Sequence, residues 1–181
     1  MKKRNNKTVK KQIPFYLLIM VISGIFGFIY ETIFYRIDLG YFVKRGTTLG
    51  PWIPIYAFGG LLIYLICYKY KDKPIKVFLI SMILSGILEF ITGYLLYHIS
   101  NIRLWDYNTE IWNYLNIGGY VCLRSVLFFG ISGVLLVKVI IPTINKLETK
   151  IKEKNFNRLS YILGILFLID FILNSVFHIF K

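Results

Sequence analysis

Glu31, Glu89 and Arg124 each stand inside a long apolar run. An ionised side chain there is costly unless it meets an opposite charge or a water-filled cavity. Either carboxylate could serve as a general base, and with the guanidinium at one level the three can form a compensated cluster. A guanidinium can clamp an anion, or bridge both carboxylates through its fork of donors. Nucleophilic chemistry is poorly supported, because Cys122 and Ser125 flank the arginine with no histidine near them in sequence. The chain has no P-loop, no His-Glu-x-x-His and no Gly-x-Ser-x-Gly. His98, His178, Cys67 and Cys122 lack the spacing of metal ligands, so neither a metal nor a cofactor is expected. The types and spacing point to a polar binding site rather than to covalent catalysis.

Two loop segments supply further polar and aromatic groups. The first runs Lys44-Arg45-Gly46-Thr47-Thr48-Leu49-Gly50-Pro51-Trp52-Ile53-Pro54-Ile55-Tyr56. Gly46, Gly50, Pro51 and Pro54 break regular helix. Such backbone is either a surface turn with an interfacial aromatic belt, or a broken segment lining a cavity at membrane depth. The second segment holds Trp105, Asp106, Tyr107 and Asn116 before Gly118 and Gly119. Asp106 and Asn116 are candidates for a polar rim above the Glu31, Glu89 and Arg124 cluster, with Arg45 beside it.

The elements that must position these residues are membrane helices. The 181 residues are 56% hydrophobic and only 17% charged, too few polar groups to coat a soluble surface. About 20 apolar residues cross a bilayer core. Five stretches fit: 14–35, 53–68 (the shortest), 75–99, 119–141 and 159–180. The expected fold is therefore all-α and polytopic, a four-helix core plus a C-terminal helix. Residues 1–13 form a basic tail, 14–142 the core, 143–158 a charged linker or short surface helix, and 159–181 the last helix. Lys and Arg number sixteen in the tail and the connections on its side, against five on the other side. The positive-inside rule then puts the N-terminus in the cytoplasm and the C-terminus outside the cell membrane. The net charge of +13 is accounted for by this topology and by anionic lipid, so nucleic acid is not an expected partner.

At about 1.5 Å per residue, Glu31 lies ~26 Å and Glu89 ~20 Å from the inner ends of their helices. Arg124 lies ~8 Å from the outer start of its own, so all three fall in the outer half of the membrane. Gly24, Gly27 and Glu31 share one helix face, as do Ser85, Gly86, Glu89 and Gly93; small residues there allow close helix contact. The similar arrangement of the first and third helices suggests two parallel hairpin repeats. Asp170, midway along the last helix, requires a partner or a proton. Cys67 and Cys122 fall near opposite faces of the bilayer, too far apart to bridge.

Taken in order, the motifs form a longer signature: Gly27-x-x-x-Glu31, Arg45-Gly46, Gly50-Pro51, Pro54-Ile55-Tyr56, Glu89-x-x-x-Gly93, Trp105-Asp106-Tyr107, and Asn116-x-Gly118 leading to Cys122-Leu123-Arg124. The set resembles the ABC-transporter type IV family of CmpB-like permeases over about Phe15 to Pro142, with the last helix outside the resemblance. It departs from the family pattern at Phe28, Lys44 and Ala57. The resemblance implies a bacterial transporter permease component. A separate ATPase would then dock on the cytoplasmic side, and at this length the chain would act as an oligomer. Two other functions remain open. One is an enzyme or translocase for a lipid or lipid-linked substrate, with a glutamate as base and Arg124 as phosphate clamp. The other is an accessory protein whose charges serve assembly.

Overall fold

A computed structural model describes residues 6–176, with side chains over 12–174. The remainder of the basic tail, and the end of the last predicted helix with His178, lie outside the described residues. Five helical elements follow one another: α1 (Asn6–Leu39), α2 (Pro54–Cys67, with a 3-10 turn at Tyr68–Tyr70), α3 (Pro74–Ser100), α4 (Leu123–Lys150) and α5 (Glu153–Asp170, continued as a π-helical turn at Phe171–Val176). Four of them are long and apolar enough to cross a bilayer, and Pro54–Tyr70 is shorter.

The burial pattern is that of a protein solvated by lipid. On α3 the buried face carries Ser81, Ser85 and Glu89, while Ile83, Ile87 and Ile91 are half or more exposed. A soluble helix shows the reverse arrangement. Small side chains let the helices meet closely. α1 packs on α2 where Gly60 faces Ser23, and α3 packs on α4 where Gly133 faces Ser81. In each first helix the glutamate follows eight residues after that serine; in each second helix an aromatic stands four residues before that glycine. Those aromatics, Tyr56 and Phe129, stack on each other between the hairpins, with ring centroids 4.9 Å apart. The two hairpins thus share these spacings, with Ser23 and Ser81 at equivalent positions.

α2 is short because it starts inside the bundle. The first loop runs back down along α1 until the Ile53 amide donates to the Gly24 carbonyl at 3.1 Å. Of the two readings of this segment, the broken backbone applies. Irregular backbone in an apolar setting needs its N–H groups satisfied. Asp170 of α5 does this, accepting from the Leu49 amide (2.9 Å), the Gly50 amide (2.7 Å) and Trp52 Nε1 (2.8 Å). Asn174 Nδ2 donates to the same carboxylate at 2.9 Å. The partner that sequence could not supply for Asp170 is thus the loop itself. Asp170→Ala leaves the loop's three donors unanswered and is expected to cost about 2 kcal/mol. The checks are thermal unfolding in micelles and faster proteolysis between residues 40 and 53.

Both ends of α4 differ from expectation. α4 begins at Leu123 rather than at 119, because Gly118 and Gly119 both take positive φ and Cys122 is extended. Its far end continues through Pro142, the turn before it widening to a π-helical one at Leu136–Ile140, which accommodates the missing proline N–H. The stretch 143–158 is consequently helical except at Ile151 and Lys152.

Candidate functional site

Five elements deliver side chains to one polar cavity of about 20 Å³, room for roughly one water. α1 gives Tyr30, Glu31 and Tyr35. α2 gives Tyr56. α3 gives Glu89, the loop before α4 gives Trp105, Tyr107 and Glu110, and α4 gives Arg124 and Ser125. Glu31, Glu89 and Arg124 do converge, but Arg124 bridges neither glutamate.

Glu31 accepts from Nε and Nη2 of Arg45, both at 2.9 Å on one oxygen. The Arg45 guanidinium lies flat over the Tyr35 ring, 3.5 Å from its centroid. The Tyr35 hydroxyl donates to one oxygen of Glu110, and Arg124 Nη2 pairs with the other. Arg124 also donates to the Tyr30 hydroxyl at 3.3 Å and covers the Phe34 ring at 3.7 Å. Glu89 is 3% exposed. It accepts from the Tyr107 hydroxyl on one oxygen and from Ser125 Oγ on the other, each at 2.7 Å. Arg124 and Ser125 are neighbours on α4 and so point about 100° apart. Glu89 meets the serine side of that helix, and the arginine is turned toward α1 and the loop.

Burial pushes the Glu110 carboxyl up, with the Tyr35 hydroxyl and then Arg124 pulling it back. Burial, and next the Glu89 charge, hold the Tyr107 phenol far above its ordinary range, so it remains a donor to Glu89. Three carboxylates thus stand with two guanidiniums, and among the described residues Glu89 takes its side-chain hydrogen bonds from hydroxyls. Among the described residues no three His, Cys, Asp or Glu side chains converge as metal ligands would.

The chain as a whole matches, over residues 18–175, a family model described as "Putative ABC-transporter type IV". It belongs to that family. Comparison with curated proteins and with solved structures finds no match. The ABC-transporter type IV match includes α5, which the motifs had left outside, and the contact of Asp170 with the first loop gives the physical reason α5 is integral.

Other expected site residues of this ABC-transporter type IV chain have supporting places. Asp106 pairs with Arg103 at 3.1 Å and accepts from Asn108. Asn116 bonds Asn108 at 2.8 Å and accepts from the Gly119 amide. Both fix the second loop rather than forming a rim on the cavity. Trp105 donates to the Tyr120 carbonyl at 3.0 Å and lines the cavity beside Tyr107. Gly46, with φ +76°, turns the chain just after Arg45; Gly50, Pro51 and Pro54 belong to the descending loop and the start of α2. Glu110 was missed. The one signal was an acid directly followed by two large apolar residues, Ile111 and Trp112.

Proposed function

We propose that the chain is the membrane-embedded permease component of a transporter, and that the cluster around Glu89 is its polar binding site. One observation carries this reading: among the described residues Glu89 is buried and forms no ion pair, while Glu31 and Glu110 each have an arginine. A cluster built only to hold helices together would balance its charges. This one has room for one further positive charge, from a proton, a cation or a group on the substrate. In the cell membrane, with the N-terminus cytoplasmic, the cluster lies toward the outer side. The energy source is then a separate ATPase docked on the cytoplasmic face. The basic stretches around Lys69–Lys76 and 145–158 suit such docking, and a second copy of the chain would complete the translocation path.

The test is purification of the tagged chain in native-lipid nanodiscs with mass spectrometry of what accompanies it. An ATPase at fixed ratio is expected, and a chain that never brings one down refutes the permease assignment. Glu89→Gln separates site from scaffold. The amide oxygen can still accept from Tyr107 while its NH2 donates to Ser125 Oγ, whose own proton goes to the Cys122 carbonyl. Yield and Tm should therefore stay close to the parent while substrate-stimulated ATPase activity of the complex is lost. If Glu89→Gln instead lowers yield and Tm and spares that activity, the cluster is structural.

A further inference from the structure

A groove of about 500 Å³ adjoins the polar cavity, sharing Glu31, Ile55 and Trp105 with it. Its walls are apolar, from Phe58 of α2, Leu88 and Leu96 of α3, Leu104 of the second loop and Phe171 after α5. One end is cationic: Lys44 and Arg45 stand there, and Glu31 cancels only Arg45. Lys44 is exposed and makes no ion pair with a described residue. From this geometry we infer that the groove holds one apolar chain of an amphipathic lipid whose anionic headgroup sits at Lys44 and Arg45.

Size and charge choose this occupant. A helix about 10 Å wide fills roughly 420 Å³ per turn, so the groove could take little more than one turn of a partner helix. The volume is instead that of a small-molecule site, mostly apolar with a few polar groups at one end. A second lateral groove, of about 510 Å³ between α1 and α4, is walled by Ile33, Ile37, Leu127 and Ile131 and offers only the already paired Arg124. A wholly apolar ligand would leave Lys44 uncompensated, whereas an anionic headgroup answers it. The inference deepens the permease reading by naming a ligand class, and rests on that reading only for what happens after binding. Headgroup and polar cavity are then separated by the Glu31–Arg45 pair, which an anion competing for Arg45 would loosen.

The experiment uses the full chain without any ATPase. Nanodiscs contain phosphatidylcholine with a minor share of phosphatidylglycerol, and native mass spectrometry reads the lipid retained after mild delipidation. Phosphatidylglycerol should be retained at least tenfold over phosphatidylcholine. Lys44→Gln should lower that preference about fivefold, the effect of one cation near an anionic headgroup. Thr92→Trp, which fills the groove from α3, should release both lipids at unchanged Tm. Equal retention of the two lipids overturns the proposal, as does preference unaltered in Lys44→Gln, which would mark ordinary boundary lipid. Should Thr92→Trp fail to fold, the lysine variant decides alone. A missing ATPase in the co-purification would sink the permease reading and leave this result standing.

Discussion

Arg124→Met should cost the fold about 3–5 kcal/mol, the usual penalty for removing one partner of a buried ion pair. The cost comes from what is left behind. Glu110, with 4% side-chain exposure, would lose the guanidinium that answers its charge. Tyr35 would remain as its one hydrogen-bond donor. A drop in Tm on the order of 10 °C is expected for a chain of this size. The double variant Arg124→Met with Glu110→Gln should recover more than half of the loss, since the stranded charge is gone. If the double variant is no better than the single one, the ion pair is not what Arg124 contributes. Arg124→Lys should fall between, keeping the charge while giving up the Tyr30 bond and the flat contact with Phe34.

That pair also marks where sequence reasoning stopped. The apolar runs of α1, α3, α4 and α5 were legible because lipid demands length and hydropathy, and both are written along the chain. Glu31, Glu89 and Arg124 were legible because charge inside such a run is rare. Which carboxylate meets Arg124 was not, because Glu110 reaches it from a loop, and hydropathy carries no information about how deep a loop residue folds back. Asp170 shows the same limit: its partners are two backbone amides and an indole across more than a hundred residues of chain. The descending loop was open between two readings for a related reason. Gly46, Gly50, Pro51 and Pro54 tell that helix is broken, and only the bond from Ile53 to Gly24 tells at what depth. The likeness of the two hairpins was sought in the glycines near Glu31 and Glu89, whereas the close approaches they share are those of Ser23 to Gly60 and Ser81 to Gly133.

Gly27→Ala is expected to be the other severe change, although alanine favours a helix by up to about 1 kcal/mol over glycine. A β-carbon at position 27 would fall 2.6 Å from the Tyr56 β-carbon, inside the space its side chain fills. Tyr56 cannot swing aside cheaply. Phe129 stacks on it at 4.9 Å, and Tyr30 and Phe128 meet it edge-on at 6.4 and 6.2 Å. Overpacking of this kind costs about 3 kcal/mol, which outweighs the helical gain. Gly86→Ala serves as the control, because its nearest neighbour would be a Val126 methyl at 3.3 Å, which needs to give only slightly. Its stability should stay within about 1 kcal/mol of the parent. The two variants also separate packing from binding. Tyr56 lines the polar cavity, so Gly27→Ala should depress Tm and substrate-stimulated ATPase activity together, whereas Glu89→Gln should lower the second alone. Loss of activity in Gly27→Ala at parental Tm would mean that α1 and α2 separate without strain. The close approach at Gly27 would then not be what holds Glu31 at the cavity.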